Sequence, residues 1–198
     1  MLLVLVTGMP GSGKSLVASM LSSLLDAPMY IMGDIVRGEV ARRGLELTVE
    51  NVEMVARELR REMGMAAVAK LLLHEIRGIE ANIVVVDGVR SLEEVEVLKG
   101  AGRPCIVAVH ASPLTRYRRM MARARRGDID GWSSFRMRDM ANLSYGIGGV
   151  IAMADYMIVN EAGPRELEAS VAKVAGEIRS GKGEGCSGGG DPSHRGPR

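Results

Sequence analysis

The sequence predicts a three-layer α/β fold, in which a five-stranded, mainly parallel sheet carries helices on both faces. Three observations lead there. Short apolar runs at residues 1–7, 83–87 and 105–111 (MLLVLVT, IVVVD, CIVAVHA) read as strands buried on both faces. Stretches with helical spacing of apolar residues alternate with them, which calls for parallel strands joined by right-handed crossovers. The first strand and first helix are joined by Gly8-Met9-Pro10-Gly11-Ser12-Gly13-Lys14-Ser15, a full match to the phosphate-cradling pattern G-x-x-x-x-G-K-S/T.

The chemistry of that loop follows from its residues. Backbone N–H groups of the loop and the helix N-terminus converge on one point and favour an anion there. Its glycines permit positive φ and let the backbone approach phosphate oxygens closely. Lys14 is expected to reach the β- and γ-phosphates, and the Ser15 hydroxyl to hold Mg²⁺. Gly8 to Ser15 are therefore the expected ATP-binding residues of a P-loop NTPase fold.

The remaining elements follow in order. Leu16, Val17, Met20, Leu21, Leu24 and Leu25 mark one face of the first helix. Residues 28–32 read as a second strand ending at Gly33-Asp34, with a helix over 35–43 that Asp34 could cap. Thr48 is placed to cap a helix running to Met63, and another covers 66–77. Ser91 with Glu94 is a capping-box signature. Ser112-Pro113 opens a strongly basic helix with proline at its first position. After a break at 127–131, residues 133–154 read as helical, with Met140, Leu143, Ile147 and Ile151 as the inner stripe and a weak point at Gly146, Gly148 and Gly149. A fifth strand at 156–159 and a last helix from Pro164 complete the domain.

At 198 residues the chain makes one domain with a substantial core. A net charge of +2 advertises neither nucleic acid nor membrane as a partner. No stretch is long and apolar enough to span a bilayer, so a cytoplasmic location is expected. Cys105 lies in an apolar run and Cys186 in a Gly-rich tail, which suggests neither a disulfide nor a metal set. Residues 1–180 are expected to form the domain and 181–198 a disordered tail.

In a parallel sheet the ligand sits at the carboxyl ends of the strands. That gathers Gly8, Gly33-Asp34, Asp87, Ala111 and Asn160 around one site. Asp87 ends its strand as the second Mg²⁺ carboxylate. Gly88 follows it, so the adjacent acidic base of motor-type ATPases is missing, and Asn160-Glu161-Ala162-Gly163 lacks the residues that read guanine. Arginines stand at the strand ends instead. Arg37 and Arg90, next to strand ends that border the site, are expected to take part in it, and Arg123 and Arg126 of the basic helix to reach the phosphates. Arg116 and Arg119 recur on that same helical side, which either meets ATP or is solvated. His74 and His110 have no partner pattern.

GMPGSGKS, GDIVR at 33–37, DGVR at 87–90 and the Arg-rich segment resemble the nucleoside monophosphate kinases, adenylate kinase above all. HASPLTRYRRMMAR at 110–123 and ADYMIVNEAGPRELEASV at 154–171 look more like dephospho-CoA kinase. The closest overall likeness is to an archaeal group described as adenylate-kinase-related or dephospho-CoA-kinase-like. The resemblance implies an NMP-kinase-like fold with a mobile acceptor flap over about 33–78 and a lid over about 113–140. It implies that Arg37 and Arg90 grip the acceptor's phosphate, that the lid arginines close on ATP, and that Asn160 borders the adenine. Asp34 stands where dephospho-CoA kinases keep a catalytic aspartate. The sequence departs from adenylate kinases before Arg90, and from dephospho-CoA kinases near Arg116 and Arg138.

The resulting expectation is a kinase that moves the γ-phosphoryl of Mg·ATP to a small nucleotide-type acceptor, a nucleoside monophosphate or dephospho-CoA. A phosphate acceptor needs arginines and no base, whereas a hydroxyl needs a carboxylate such as Asp34. The rival is a regulatory or nucleic-acid-binding P-loop protein using the basic helix as a contact surface. Low net charge and few aromatics speak against nucleic acid.

Overall fold

The computed structural model describes residues 1–123, 129–181 and 186. The elements run β1 (Leu2–Thr7), α1 (Lys14–Leu25), β2 (Met29–Ile31), α2 (Met32–Arg42), α3 (Val49–Met63), α4 (Ala67–Ile76) and β3 (Ile83–Asp87). They continue with α5 (Leu92–Leu98), β4 (Arg103–His110), α6 (Pro113–Arg123), α7 (Trp132–Ser144), α8 (Ile147–Ala152), β5 (Tyr156–Val159) and α9 (Pro164–Arg179). The sheet has five strands in the order β2-β3-β1-β4-β5. Every pairing in it is parallel. The expected α/β class is what forms.

Alternation along the strands divides the core in two. Leu3, Leu5, Val84 and Val86 face one cluster, with α2 to α5 supplying Val36, Val40, Val55, Leu59, Leu72, Ile76 and Leu98. Val4, Val6, Val85, Cys105 and Val107 face the other, covered by Leu21 of α1 and Leu167, Val171, Val174 and Ile178 of α9. Central strands buried on both faces need unbroken apolar runs, which residues 2–6 and 83–86 provide. β1 lies between β3 and β4, so the chain leaves it first toward one edge and later toward the other. This reversal opens a crevice at the end of β1, where the glycine loop begins.

Several helix ends form as their residues demand. The Thr48 side chain accepts from the Asn51 N–H at 3.1 Å. Ser91 Oγ accepts from the Glu94 N–H at 3.1 Å, while the Glu94 carboxylate reaches back to the N–H of Arg90 at 2.7 Å. At the end of α2, Arg43 joins α2 to α3 by donating to Glu39 and Glu58, both at 2.7 Å.

Four expectations are corrected. β2 passes into α2 without a loop, so α2 starts at Met32 and extended Ile31 occupies its N-cap position. Asp34 therefore lies inside the first turn and caps nothing. The helix expected over 133–154 breaks at Tyr145-Gly146, where Gly146 has φ +98°. Before the break its inner stripe is also rotated: Met140 and Leu143 are 57% and 46% exposed, whereas Phe135, Asp139 and Asn142 are buried; beyond the break Ile147 is buried as expected. The polar side turns inward because Asp139 meets a buried guanidinium, Arg116 of α6. Finally, Cys105 and Cys186 form a disulfide across a separation of 81 residues. The buried position of Cys105 on β4 brings part of the expected tail under the sheet, a contact that spacing along the chain does not reveal. Apart from Gly181 and Cys186, the residues of that tail lie outside the described set.

Candidate active site

The loop between β1 and α1 has the backbone that its glycines allow: φ is +151° at Gly8, +81° at Gly11 and +94° at Gly13. Space as well as φ excludes a side chain. A Cβ at Gly8 would stand 2.4 Å from the carbonyl oxygen of Val109, and one at Gly13 would stand 2.4 Å from Asn160 Nδ2. The loop is thus pressed against the ends of β4 and β5. Asn160 Nδ2 donates to the Ser12 carbonyl at 2.9 Å, and Arg119 donates to Asn160 Oδ1 at 3.3 Å. Asn160 supports the loop through its amide. Thr7 Oγ1 donates to the Val89 carbonyl at 2.7 Å and so fixes the loop after β3 beside the end of β1. Glu161 accepts from the Ser112 N–H and from Thr115 Oγ1, joining the turn after β5 to the start of α6.

Lys14 opens α1 among charges of both signs. Burial pulls its pKa down to about 8; Asp87 opposes this, and Arg90, Arg138 and Arg123 add to it. Lys14, Asp87, Arg90 and Arg123, drawn from three separate segments, are therefore brought into one electrostatic neighbourhood. Arg138 joins them from α7. Asp87 is 3% exposed, and its Oδ1 has no hydrogen-bond partner among the described residues. A buried carboxylate oxygen left bare beside a phosphate loop suits a cation, so Ser15 and Asp87 fit the hard oxygen set that Mg²⁺ takes. Ser15 is exposed at the loop mouth.

Asp34 and Arg37 lie on the same side of α2 and bond to each other. Arg37 Nε donates to Asp34 Oδ1 at 2.8 Å, and its NH2 reaches the same oxygen. Both side chains are about half exposed, at 55% and 47%. The Arg90 side chain is half-buried; desolvation lowers its affinity for its proton, and neighbouring Arg60 adds to that effect.

The basic helix divides its arginines. Arg116 is buried against Asp139; Arg119 is half-buried beside Asn160, with NH1 unpartnered among the described residues; Arg123 is exposed. Arg126 lies outside the described residues. Arg60, Glu94 and Arg138 were not singled out as site residues by their spacing. For Arg60 the signal in the sequence is a charged residue next to Leu59 on the inner side of an amphipathic helix, and Glu94 reads only as a capping residue.

A family model described as an AAA domain matches residues 4–141. A UPF0200 protein of Hyperthermus butylicus is 49% identical over 177 residues, covering 89% of this chain and 95% of the relative. The chain belongs to the UPF0200 family. A second member, from Thermococcus kodakarensis, is 48% identical over 184 residues, covering 90% of this chain and 99% of its own. Among solved structures, shikimate kinase from Bacteroides thetaiotaomicron is similar at TM-score 0.59 and 20% identity, covering 90% of this chain and 98% of that one. TT1252 from Thermus thermophilus is similar at TM-score 0.62 and 22% identity, covering 89% and 97%. These likenesses establish the P-loop kinase-type fold for this UPF0200 chain. No helix of the described residues is long and apolar enough to cross a membrane.

Proposed function

We propose that this protein is a phosphotransferase that moves the γ-phosphoryl group of Mg·ATP to a small nucleotide-type acceptor, a nucleoside monophosphate or dephospho-CoA. The observation that carries the reading is Lys14 beside the bare Oδ1 of buried Asp87, at the mouth of a loop whose three positive-φ glycines present backbone N–H groups. The fold shared with shikimate kinase is consistent with it.

In this reading residues 8–15 hold the triphosphate, and Lys14 neutralises its β/γ oxygens. Mg²⁺, held by Ser15 and Asp87, would supply charge neutralisation across the same oxygens. Arg123, with Arg126 further along the lid, covers the transferred group, and Arg37 and Arg90 draw the acceptor in. With a hydroxyl acceptor, Asp34 orients the O–H and takes its proton. The acceptor oxygen bonds to the γ-phosphorus, the bond to the β,γ-bridging oxygen breaks, and ADP leaves with the electron pair. Arg37 already engages Oδ1 of Asp34, so the second carboxylate oxygen is the one offered to the acceptor. Flap and lid close over the pair, which keeps water from accepting the phosphoryl group.

The test is transfer of labelled γ-phosphate from ATP to AMP and to dephospho-CoA, with Lys14→Ala as the control that abolishes it. Asp34→Asn separates the acceptors: the rate falls ~10²-fold or more for a hydroxyl and changes little for a phosphate. Wild-type protein that phosphorylates neither acceptor, nor any of a panel of nucleotides and nucleosides, overturns the reading.

A further inference from the structure

β5 forms one edge of the sheet, and among the described residues no strand pairs with its outer side. Edge strands are ordinarily guarded by charge, proline, a bulge or a covering element. Tyr156–Val159 carries neither charge nor proline, and its register with β4 runs without a bulge. Asp155, just before it, turns inward and accepts from the N–H of Ile106 at 2.7 Å. The opposite edge, β2, is only three residues long and passes straight into α2.

The direction of the free main-chain groups follows from the ladder. The Asn160 N–H donates to the His110 carbonyl at 2.7 Å. In a parallel pair alternate residues bond to the same neighbour, so the N–H and C=O groups of Met157 and Val159 point away from β4. Their side chains are exposed as well, at 49% and 58%. Beside this edge a cavity of about 350 Å³ lies between the length of β5 and the α9 residues Ser170, Lys173, Val174 and Glu177. Those positions recur at helical spacing, so one stripe of α9 borders the free edge. The stripe carries a cation and an anion one turn apart, with Lys173 Nζ 4.0 Å from Glu177 Oε1 and both side chains open to solvent.

We infer that this edge is a homodimer interface, in which β5 pairs antiparallel with β5 of a second copy about a twofold axis through Ile158. That register sets Met157 opposite Val159 of the other copy. The outward groups of both strands then exchange hydrogen bonds, and side chains on the same face of the sheet meet across the junction. The two sheets become one continuous sheet. The same axis runs the two α9 helices antiparallel over the junction and turns Lys173 of each toward Glu177 of the other. This charge order selects a second copy as the occupant, because a twofold axis sets a cation–anion pair against the same pair reversed. The interface goes beyond the phosphotransfer reading and stands or falls without it.

The test is sedimentation equilibrium of the full oxidised chain at several protein concentrations. The wild type is expected to be a reversible dimer. Met157→Pro removes an outward N–H and no bond to β4, and is expected to weaken the dimer at least ~thirtyfold. Leu47→Lys, at a position 60% exposed and away from the edge, leaves it unchanged. Lys173→Glu and Glu177→Lys are each expected to weaken self-association, because the first leaves two acids on the stripe and the second two bases. An equimolar mixture of those two variants is expected to restore the dimer, a gain that loss of folding cannot produce. A monomeric wild type, a dimer indifferent to Met157→Pro, or a mixture that associates no better than its components overturns the inference. So does a chain ending at Cys186 that dimerises where the full chain does not, since residues 187–198 are then the occupant of the edge.

Discussion

Arg116 and Asp139 form a buried bidentate ion pair between α6 and α7, with NH1 to Oδ1 at 2.7 Å and NH2 to Oδ2 at 2.6 Å. The same guanidinium donates to the carbonyls of Ala111 and Pro10, both at 3.1 Å, and lies 5.0 Å from the centroid of the Phe135 ring. One arginine thus joins α6 and α7 to the glycine loop. Removing one partner strands the other charge in a site where both are nearly inaccessible. Asp139→Ala is expected to cost about 3–5 kcal/mol of unfolding free energy, read from urea titration, and the double variant Arg116→Met/Asp139→Leu less than that. Equal stability of Asp139→Ala and wild type contradicts the role.

Lys14 gives a pH prediction whose sign can be worked out. In the free protein its pKa is lowered to about 8, chiefly by burial, so above that pH the amine is increasingly neutral. A bound triphosphate places negative charge against it and restores the ammonium form. ATP binding is therefore coupled to proton uptake, absent below about pH 7 and growing above pH 8. Calorimetry in two buffers of different ionisation enthalpy at about pH 8.5 should register net proton uptake on ATP binding, falling to near zero in Lys14→Met. Proton release, or no buffer dependence, contradicts it.

The disulfide between Cys105 and Cys186 closes a loop spanning 81 residues of separation, from a strand near the centre of the sheet to the segment beyond α9. Chain-entropy arguments assign such a loop about 4.5 kcal/mol, within the ~2–5 kcal/mol usual for native bridges. Guanidinium unfolding with and without reductant should separate by about that amount. Cys186→Ser should match the reduced wild type and be insensitive to reductant. The intact oxidised chain should weigh about 2 Da less than the reduced one.

Much of the fold could be read from patterns local in the chain. The apolar runs of β1 and β3 have no face that meets water, and a buried parallel strand is the economical solution for them. Thr48, Ser91 and Pro113 act where their chemistry places them. What failed was decided at a distance. The inner face of α7 is polar because Arg116, 23 residues away, needs a carboxylate, and no helical periodicity reports that. The start of α2 was misplaced because a strand can run straight into a helix with no capping side chain. In the candidate site, the glycine loop and Asp87 were legible because they carry a spaced motif and a strand end. Arg60 was not, because Glu94 and Tyr145 reach it only in three dimensions.

The most direct measurement is phosphorus NMR of the wild-type protein with Mg²⁺, ATP and either AMP or dephospho-CoA, followed over many turnovers. The expected result is loss of the γ-phosphorus resonance in step with growth of the product's new phosphate signal, with inorganic phosphate minor and Lys14→Ala silent. A γ-phosphorus signal that stays intact with every acceptor, or that is lost only to inorganic phosphate, contradicts phosphoryl transfer as the function.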